Sequence, residues 1–184
     1  ATTASDCVAV GEDALAGTTT GSNNVAIGLD ALKANTTGTG NIGIGRRALD
    51  ANTTGNLNVA LGQSALGANT TADANTAVGY AALNVNTTGT KCVAVGAYAL
   101  DASDADDNTA VGYNAMTANT TGIRNAALGQ SALGANTTGT RNTAIGAQAL
   151  DASSTASYNT AIGYGSLTEN TTGEYNTAVG QGAL

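Results

Sequence analysis

The chain has 184 residues, a formal net charge of −7 at neutral pH, no histidine and only 3% aromatic residues, all of them tyrosine. Its few lysines and arginines are scattered, which excludes nucleic acid and anionic membrane surfaces as partners because both require clustered basic side chains. Without histidine, the usual zinc, haem and general-base arrangements are excluded or weakened, so we expect no enzymatic activity, no cofactor and no metal. No apolar run approaches the roughly 20 residues that cross a bilayer, so we also expect no membrane insertion.

One unit, close to N-T-A-V-G-x-x-A-L-x-A-N-T-T-G-x-x, repeats through the whole chain. The glycine after its apolar pair recurs every 17 residues, except for one interval of 16 where "DASDADDNTA" has lost a loop residue. We call these eleven residues the glycine column: Gly11, Gly28, Gly45, Gly62, Gly79, Gly96, Gly112, Gly129, Gly146, Gly163 and Gly180. The period predicts a single repeat domain over residues 1–184.

The length and composition of the unit predict its fold. A repeat of 17 residues is shorter than the helix-pair repeats, which need about 33 to 47 residues. Short β-branched runs bounded by glycine and asparagine instead favour strands and tight turns. We therefore predict an all-β parallel β-solenoid (β-roll) of eleven coils, about 53 Å long if strands stack about 4.8 Å apart.

Two apolar columns are predicted to fill the interior of the coils. The leucine column, four residues after each glycine, is leucine in ten copies and Met116 in the other. The valine column is the residue directly before each glycine, and by strand alternation the residue three before the glycine shares its face. The valine column comprises Val10, Ile27, Ile44, Leu61, Val78, Val95, Val111, Leu128, Ile145, Ile162 and Val179.

An alanine column lies two residues before each glycine, with Gly43 as its one exception. Because it alternates with the valine column, it is expected to point out of the coil, where a free surface would tolerate larger residues. The small size then predicts close packing against another chain, although alanine could simply be common here and suit a tight corner. The candidate packing residues are Ala26, Ala60, Ala77, Ala94, Ala110, Ala127, Ala144, Ala161 and Ala178.

An asparagine column lies four residues before each glycine, and Cys7 and Cys92 replace asparagine in two copies. Stacked asparagines can form a hydrogen-bonded ladder along a solenoid corner. The two thiols are five coils apart, about 24 Å, which is too far for a disulfide within one chain. Cys7 is therefore a candidate for an inter-chain disulfide, while small residues filling a ladder position are the plainer interpretation.

Seven N-x-T sequons share one column of the repeat, and they have two interpretations. Asn-Thr-Thr-Gly is a good turn sequence, and an exposed stripe of sequons could also carry glycans. The adjacent threonine column, interrupted by Asp104 and Ser154, could form a hydroxyl array of the kind that some ice-binding solenoids use. The candidate glycosylation sites are Asn35, Asn52, Asn69, Asn86, Asn119, Asn136 and Asn170.

Charged and aromatic side chains gather at the remaining variable positions. The acidic group Asp101, Asp104, Asp106 and Asp107 falls in the irregular coil, where it predicts a solvated loop or, alternatively, a Ca²⁺ site.

Tyrosines and arginines lie just after the glycine column and five residues before it. Such a stripe could bind glycans or a partner protein, or only solubilise the surface.

The repeat resembles a known family. "NNVAIG" (Asn23–Gly28), "NTAIG" and "NTAVG" are similar to the SVAIG-type motif in the head repeats of trimeric autotransporter adhesins. The full unit NTAxGxxALxxNTTG resembles repeats of tail-fibre-like proteins of phages and bacteria. This resemblance covers essentially the whole chain and implies a trimeric, left-handed parallel β-roll that serves as a shaft or adhesive head outside the cell.

These patterns predict a non-enzymatic structural protein, the shaft or adhesive rod of an extracellular, cell-surface or virion fibre. Joining the end of the chain to its start approximates one more unit, so an excerpt of a longer fibre or a subunit stacking head to tail is also expected. The expected partners are further copies of the chain, as a homotrimer or an end-to-end polymer, and surface glycans or a host receptor. The remaining alternatives are a self-assembling extracellular filament and an ice- or glycan-binding solenoid.

Overall fold

The computed structural model describes residues 3–184, which wind into one continuous stack of coils without any helix in that range. Each coil contributes one three-residue strand, and the strands form a single parallel sheet in chain order. They are β1 (Val8–Val10), β2 (Val25–Ile27), β3 (Ile42–Ile44), β4 (Val59–Leu61), β5 (Thr76–Val78), β6 (Val93–Val95), β7 (Thr109–Val111), β8 (Ala126–Leu128), β9 (Thr143–Ile145), β10 (Thr160–Ile162) and β11 (Thr177–Val179). The predicted all-β parallel solenoid is confirmed.

Backbone hydrogen bonds join each coil to its neighbours along the strand and in the turns. Gly28 N–H donates to the Val10 carbonyl at 2.7 Å, and Leu32 N–H donates to the Ala48 carbonyl at 3.0 Å. The glycine column adopts φ values between 125° and 141°. A Cβ atom on Gly79 would lie 2.6 Å from the carbonyl carbon of Gly96 in the next coil. Glycine therefore recurs here because neither the backbone conformation nor the coil spacing admits a side chain.

The leucine column fills the interior, as predicted. Its members pack against two alanines of each coil, such as Ala60 and Ala65 beside Leu66 in the fourth coil, all of them without exposed surface. The fully buried members of the column are Leu32, Leu49, Leu66, Leu83, Leu100, Met116, Leu133 and Leu150.

The prediction that the valine column lies in the interior is wrong. Val10 is 56% exposed, Leu61 44% and Leu128 50%, and the residues three before the glycine point outward with them. The central residue of each strand faces inward instead. The alternation of inward and outward residues along each strand was predicted correctly. The inward position, however, faces a leucine that already fills the coil, so it has space only for a methyl group.

From β2 onward the alanine column is buried in the chain's own core, so its predicted packing against another chain is also wrong. The crowding that keeps these residues small lies inside the coil: at Gly43, an added Cβ atom would lie 3.3 Å from Leu32 Cγ and 3.1 Å from the Ala48 carbonyl oxygen. The corrected residues, all between 0% and 4% exposed, are Ala26, Ala60, Ala77, Ala94, Ala110, Ala127, Ala144, Ala161 and Ala178.

The leucine column adopts a left-handed backbone conformation in every coil, with φ between 50° and 61°. A β-branched side chain is a genuine outlier in this region because its second Cβ substituent crowds the backbone. This explains why the column accepts leucine and methionine but never valine or isoleucine, although the valine column holds all three aliphatic types.

We predict that the backbone conformation, rather than side-chain volume, limits this column. Leu83→Ile conserves volume and should lower the free energy of unfolding by about 2 kcal/mol, the strain of a β-branched residue at positive φ. Leu83→Met should cost less than about 1.5 kcal/mol, because methionine already occupies the equivalent position 116. Urea unfolding of the two variants measures the difference, and equal costs would contradict this explanation.

Candidate functional site

The most extensive candidate site is the outer surface of the parallel sheet. We define the strand face as the residues one and three before each glycine, so that each of the eleven strands contributes two outward side chains. It contains valine, isoleucine, leucine, threonine and one alanine, with no charged residue. Valine and isoleucine predominate three before the glycine in the first half, and threonine in the second half. With strands about 4.8 Å apart, the strand face is an uncharged, largely apolar strip about 53 Å long.

Tyrosine side chains line the turns on both sides of the strand face. In the turns after the strands, the rings of Tyr80 and Tyr98 meet edge to face at 5.2 Å, and those of Tyr98 and Tyr113 at 6.3 Å. In the turns before the strands, Tyr158 and Tyr175 stack at 4.8 Å. Such aromatic contacts between coils add to stability, and all five rings remain exposed on the surface.

The asparagine column forms the predicted ladder, in which backbone groups also take part. Asn41 N–H donates to Asn24 Oδ1 at 2.8 Å, and Asn41 Nδ2 donates to the Gly55 carbonyl at 2.7 Å. Cys92 occupies one step of this ladder, with its Sγ 3.0 Å from the Ala105 carbonyl oxygen. Burial raises the pKa of the Cys92 thiol to about 11, which keeps it protonated and unreactive at neutral pH.

Six of the seven sequon asparagines form a second buried ladder, which argues against glycosylation of the folded chain at those six positions. Asn52 Nδ2 donates to Asn35 Oδ1 at 2.9 Å and to the Gly55 carbonyl at 3.0 Å. Asn170 in the last full turn is half-buried, and its amide donates to Gly173. A glycan would have to replace these bonds and leave the coil interior. The fully buried members are Asn35, Asn52, Asn69, Asn86, Asn119 and Asn136.

The threonine column next to the sequon asparagines holds the coils together and presents few free hydroxyl donors. Thr36 Oγ1 donates to the Thr53 carbonyl of the next coil at 2.9 Å, and Thr53 Oγ1 donates to the Thr70 carbonyl at 3.0 Å. The three N–H groups of residues 36–38 point at that same Thr53 carbonyl. This column is therefore part of the inter-coil bonding.

In the irregular coil, a carboxylate takes over the role of the backbone carbonyl. Asp104 Oδ1 accepts hydrogen bonds from the backbone N–H groups of Thr87, Thr88 and Gly89 at 2.9, 2.7 and 3.1 Å. Burial raises the pKa of Asp104, but these hydrogen bonds outweigh it and lower the pKa to about 2. Asp106 likewise accepts from Thr90. Two of the four acidic side chains thus supply hydrogen-bond acceptors in the shortened coil.

No group of three or more metal-ligating side chains occurs within residues 3–184. In the same range, no helix is long and apolar enough to span a bilayer. Cys7 is exposed and free, while Cys92 is buried five coils away, so the inter-chain disulfide at Cys7 stays a prediction.

Comparisons with protein-family models, curated proteins and solved structures give no match.

The second ladder has a defect that yields a stability prediction. Within residues 3–184, Asn136 Oδ1 and Ser153 Oγ are both buried without a hydrogen-bond partner. Ser153→Asn restores the asparagine found at this position in most coils and offers its amide to Asn136 Oδ1. We expect the free energy of unfolding to rise by about 1 kcal/mol.

Urea or thermal unfolding measures this effect, with Ser154→Asn as the matched control. The neighbouring Ser154 is only half-buried and lies outside the ladder, so its substitution should change stability by less than about 0.5 kcal/mol. A loss of stability in Ser153→Asn would show that the ladder does not accept the longer side chain.

Proposed function

We propose that the protein is a non-enzymatic structural rod, the shaft or adhesive rod of an extracellular or virion fibre, in which three chains associate through their strand faces. One observation carries the proposal: an uninterrupted, uncharged, largely apolar strip runs along all eleven strands on the outside of the coils. Its footprint of roughly 500 Å² is at the upper end of what monomers leave exposed.

A second copy of the chain is the occupant that suits the strand face best. The face repeats once per coil, and another copy repeats at the same spacing, so each outward pair can meet an equivalent pair over the whole length. In a cyclic trimer the chains run parallel. The valine-rich half of one chain, with Val8, Val25 and Val59, then meets the valine-rich half of its neighbours, and the threonine-rich halves meet each other.

The low content of reactive side chains agrees with a mechanical role, and the resemblance to adhesin head repeats and tail-fibre repeats favours a left-handed trimer outside the cell. The outward orientation of the valine column supports its choice as the proposed association surface. The alanine column instead makes the coils narrow enough to stack regularly.

Mass in solution tests the association. Light scattering at about 100 µM, well above the micromolar Kd typical of a modest interface, should give three times the 17.7 kDa chain mass. The double variant Ile27→Glu/Ile145→Glu puts two carboxylates on the strand face and should be a folded monomer, because the unpaired charges would have to be buried in the trimer.

The matched control is Leu57→Glu/Val85→Glu, which replaces two exposed aliphatic residues outside the strand face. It should stay trimeric. A wild-type chain that keeps its single-chain mass at this concentration would contradict the proposal, as would dissociation of the control to the same extent as the strand-face variant.

A second candidate function, ice binding, is favoured by the threonines of the same face. Thr143, Thr160 and Thr177 stand on consecutive strands beside Ile145, Ile162 and Val179, a flat array of hydroxyl and methyl groups. If the chain is monomeric in solution, this face remains free, and thermal hysteresis of the monomer then decides between an ice-binding surface and an unused one.

A further inference from the structure

A polar notch opens on the turn that follows β4, away from the strand face. Gly67 occupies the position that Asp50 holds in the preceding coil and Asn84 in the following coil. Without a side chain at Gly67, a cavity of about 400 Å³ remains between these two coils, lined by Arg47, Asp50, Ala51, Ser64, Gly67, Ala68 and Asn84.

The polar side chains around the notch converge on its centre. An added Cβ atom on Gly67 would lie 2.7 Å from Asn84 Oδ1 and 3.5 Å from Asp50 Oδ1, so both oxygens lean over the glycine from opposite sides. Arg47 Nε donates to Asp50 Oδ2 at 2.8 Å, which fixes the carboxylate and leaves its other oxygen directed at the notch.

The hydrogen-bonding capacity of the notch is largely unused. Within residues 3–184, neither the Asn84 amide, nor Ser64 Oγ, nor Asp50 Oδ1 makes a hydrogen bond to another protein group. The amide and the hydroxyl can each donate and accept, the Arg47 guanidinium keeps free N–H donors, and Asp50 Oδ1 accepts. A ligand would therefore meet both donors and acceptors within one small cavity.

This mixture of groups selects the chemical class of the ligand. A divalent cation would be repelled by the Arg47 guanidinium and would find only one carboxylate, and an anion would face Asp50. A neutral molecule with several hydroxyl groups satisfies the donors and acceptors together, and its C–H face can rest on Ala51 and Ala68. The volume is at the lower end of small-molecule sites, which fits one or two sugar rings.

We propose that the notch at Gly67 is a carbohydrate-binding site in which one hexopyranose unit lies over Asp50 and Asn84, with its hydroxyl groups hydrogen-bonded to both. The site lies outside the strand face, so it does not depend on the proposed association. Sugar binding here would add a recognition role to a rod whose proposed function is otherwise mechanical.

The chain contains its own comparison site. The segment 60–71 is identical to the segment 127–138, and Gly134 opens an equivalent position in the eighth coil. There the flanking residues are Asn114, Thr117 and Asp151 in place of Arg47, Asp50 and Asn84. The ion pair that orients the carboxylate is missing, and we expect no sugar binding at this second position.

The test is a titration of the ¹⁵N-labelled full chain with the methyl glycosides of glucose, galactose, mannose and N-acetylglucosamine, followed by amide chemical shifts. At least one glycoside should shift the amides of residues 47–51, 64–68 and 84, saturating in the millimolar range expected for a single sugar ring. Gly67→Thr fills the notch, and the fold tolerates it because Thr117 holds the equivalent position. It should weaken binding at least tenfold.

Gly134→Thr is the matched control and should leave binding unchanged, while Asp50→Asn should weaken it with the notch still open. All variants are first checked for an unchanged thermal unfolding midpoint. The proposal is overturned if none of the four glycosides shifts these amides at roughly 50 mM, a concentration that reveals millimolar Kd values. Binding that survives Gly67→Thr, or that Gly134→Thr weakens equally, would overturn it as well.

Discussion

The close stacking of successive coils at the glycine column is the constraint on which the rest of the structure depends. At Gly79, an added Cβ atom would lie 2.6 Å from the backbone of the next coil, so the coils approach to backbone contact. A coil wound this tightly is also narrow: once Leu32 extends from one wall, the strand position opposite it, Gly43, has space for no more than a methyl group. The residue type at both positions thus follows from the coil dimensions, and the larger aliphatic side chains must point outward.

A narrow coil buries little apolar surface, and polar ladders supply much of the remaining cohesion. Most members of the two asparagine columns lie inside the coils, and their amides form hydrogen bonds between neighbouring coils, as at Asn41 and Asn52. Buried polar groups stabilise a fold only when they are satisfied. Where the repeat departs from asparagine, the Cys92 thiol still donates to the Ala105 carbonyl, whereas Ser153 leaves Asn136 Oδ1 without a partner. At the shortened coil, Asp104 takes the place of a backbone carbonyl.

The period, the eleven coils, the buried leucine column and the asparagine ladder could all be predicted from the sequence, because each follows from spacing and residue type. The direction in which the strands face could not. Alternation determines only that Ala77 and Val78 point to opposite sides, and the usual preference for burying the larger residue assigns them the wrong way round. The decisive fact, that a leucine such as Leu32 crosses the coil from a left-handed turn to the opposite strand, is a tertiary one. The burial of the sequon asparagines could not be predicted either, because their sequence is typical of surface turns. The notch at Gly67 could not be predicted because it is formed by side chains from three coils.

Together these features describe a stack of coils whose inside is held by its own packing and hydrogen bonds and whose outside carries one continuous, largely apolar face. The orientation of the strands is therefore the central claim, since the proposed association surface depends on it. It is tested most directly by the far-UV circular dichroism of Ala110→Asp and Val111→Asp, which place the same carboxylate on the two sides of β7. We predict that Val111→Asp keeps the β spectrum of the wild type and that Ala110→Asp loses it, because a buried unpaired charge costs several kcal/mol. A folded Ala110→Asp together with an unfolded Val111→Asp would contradict the account.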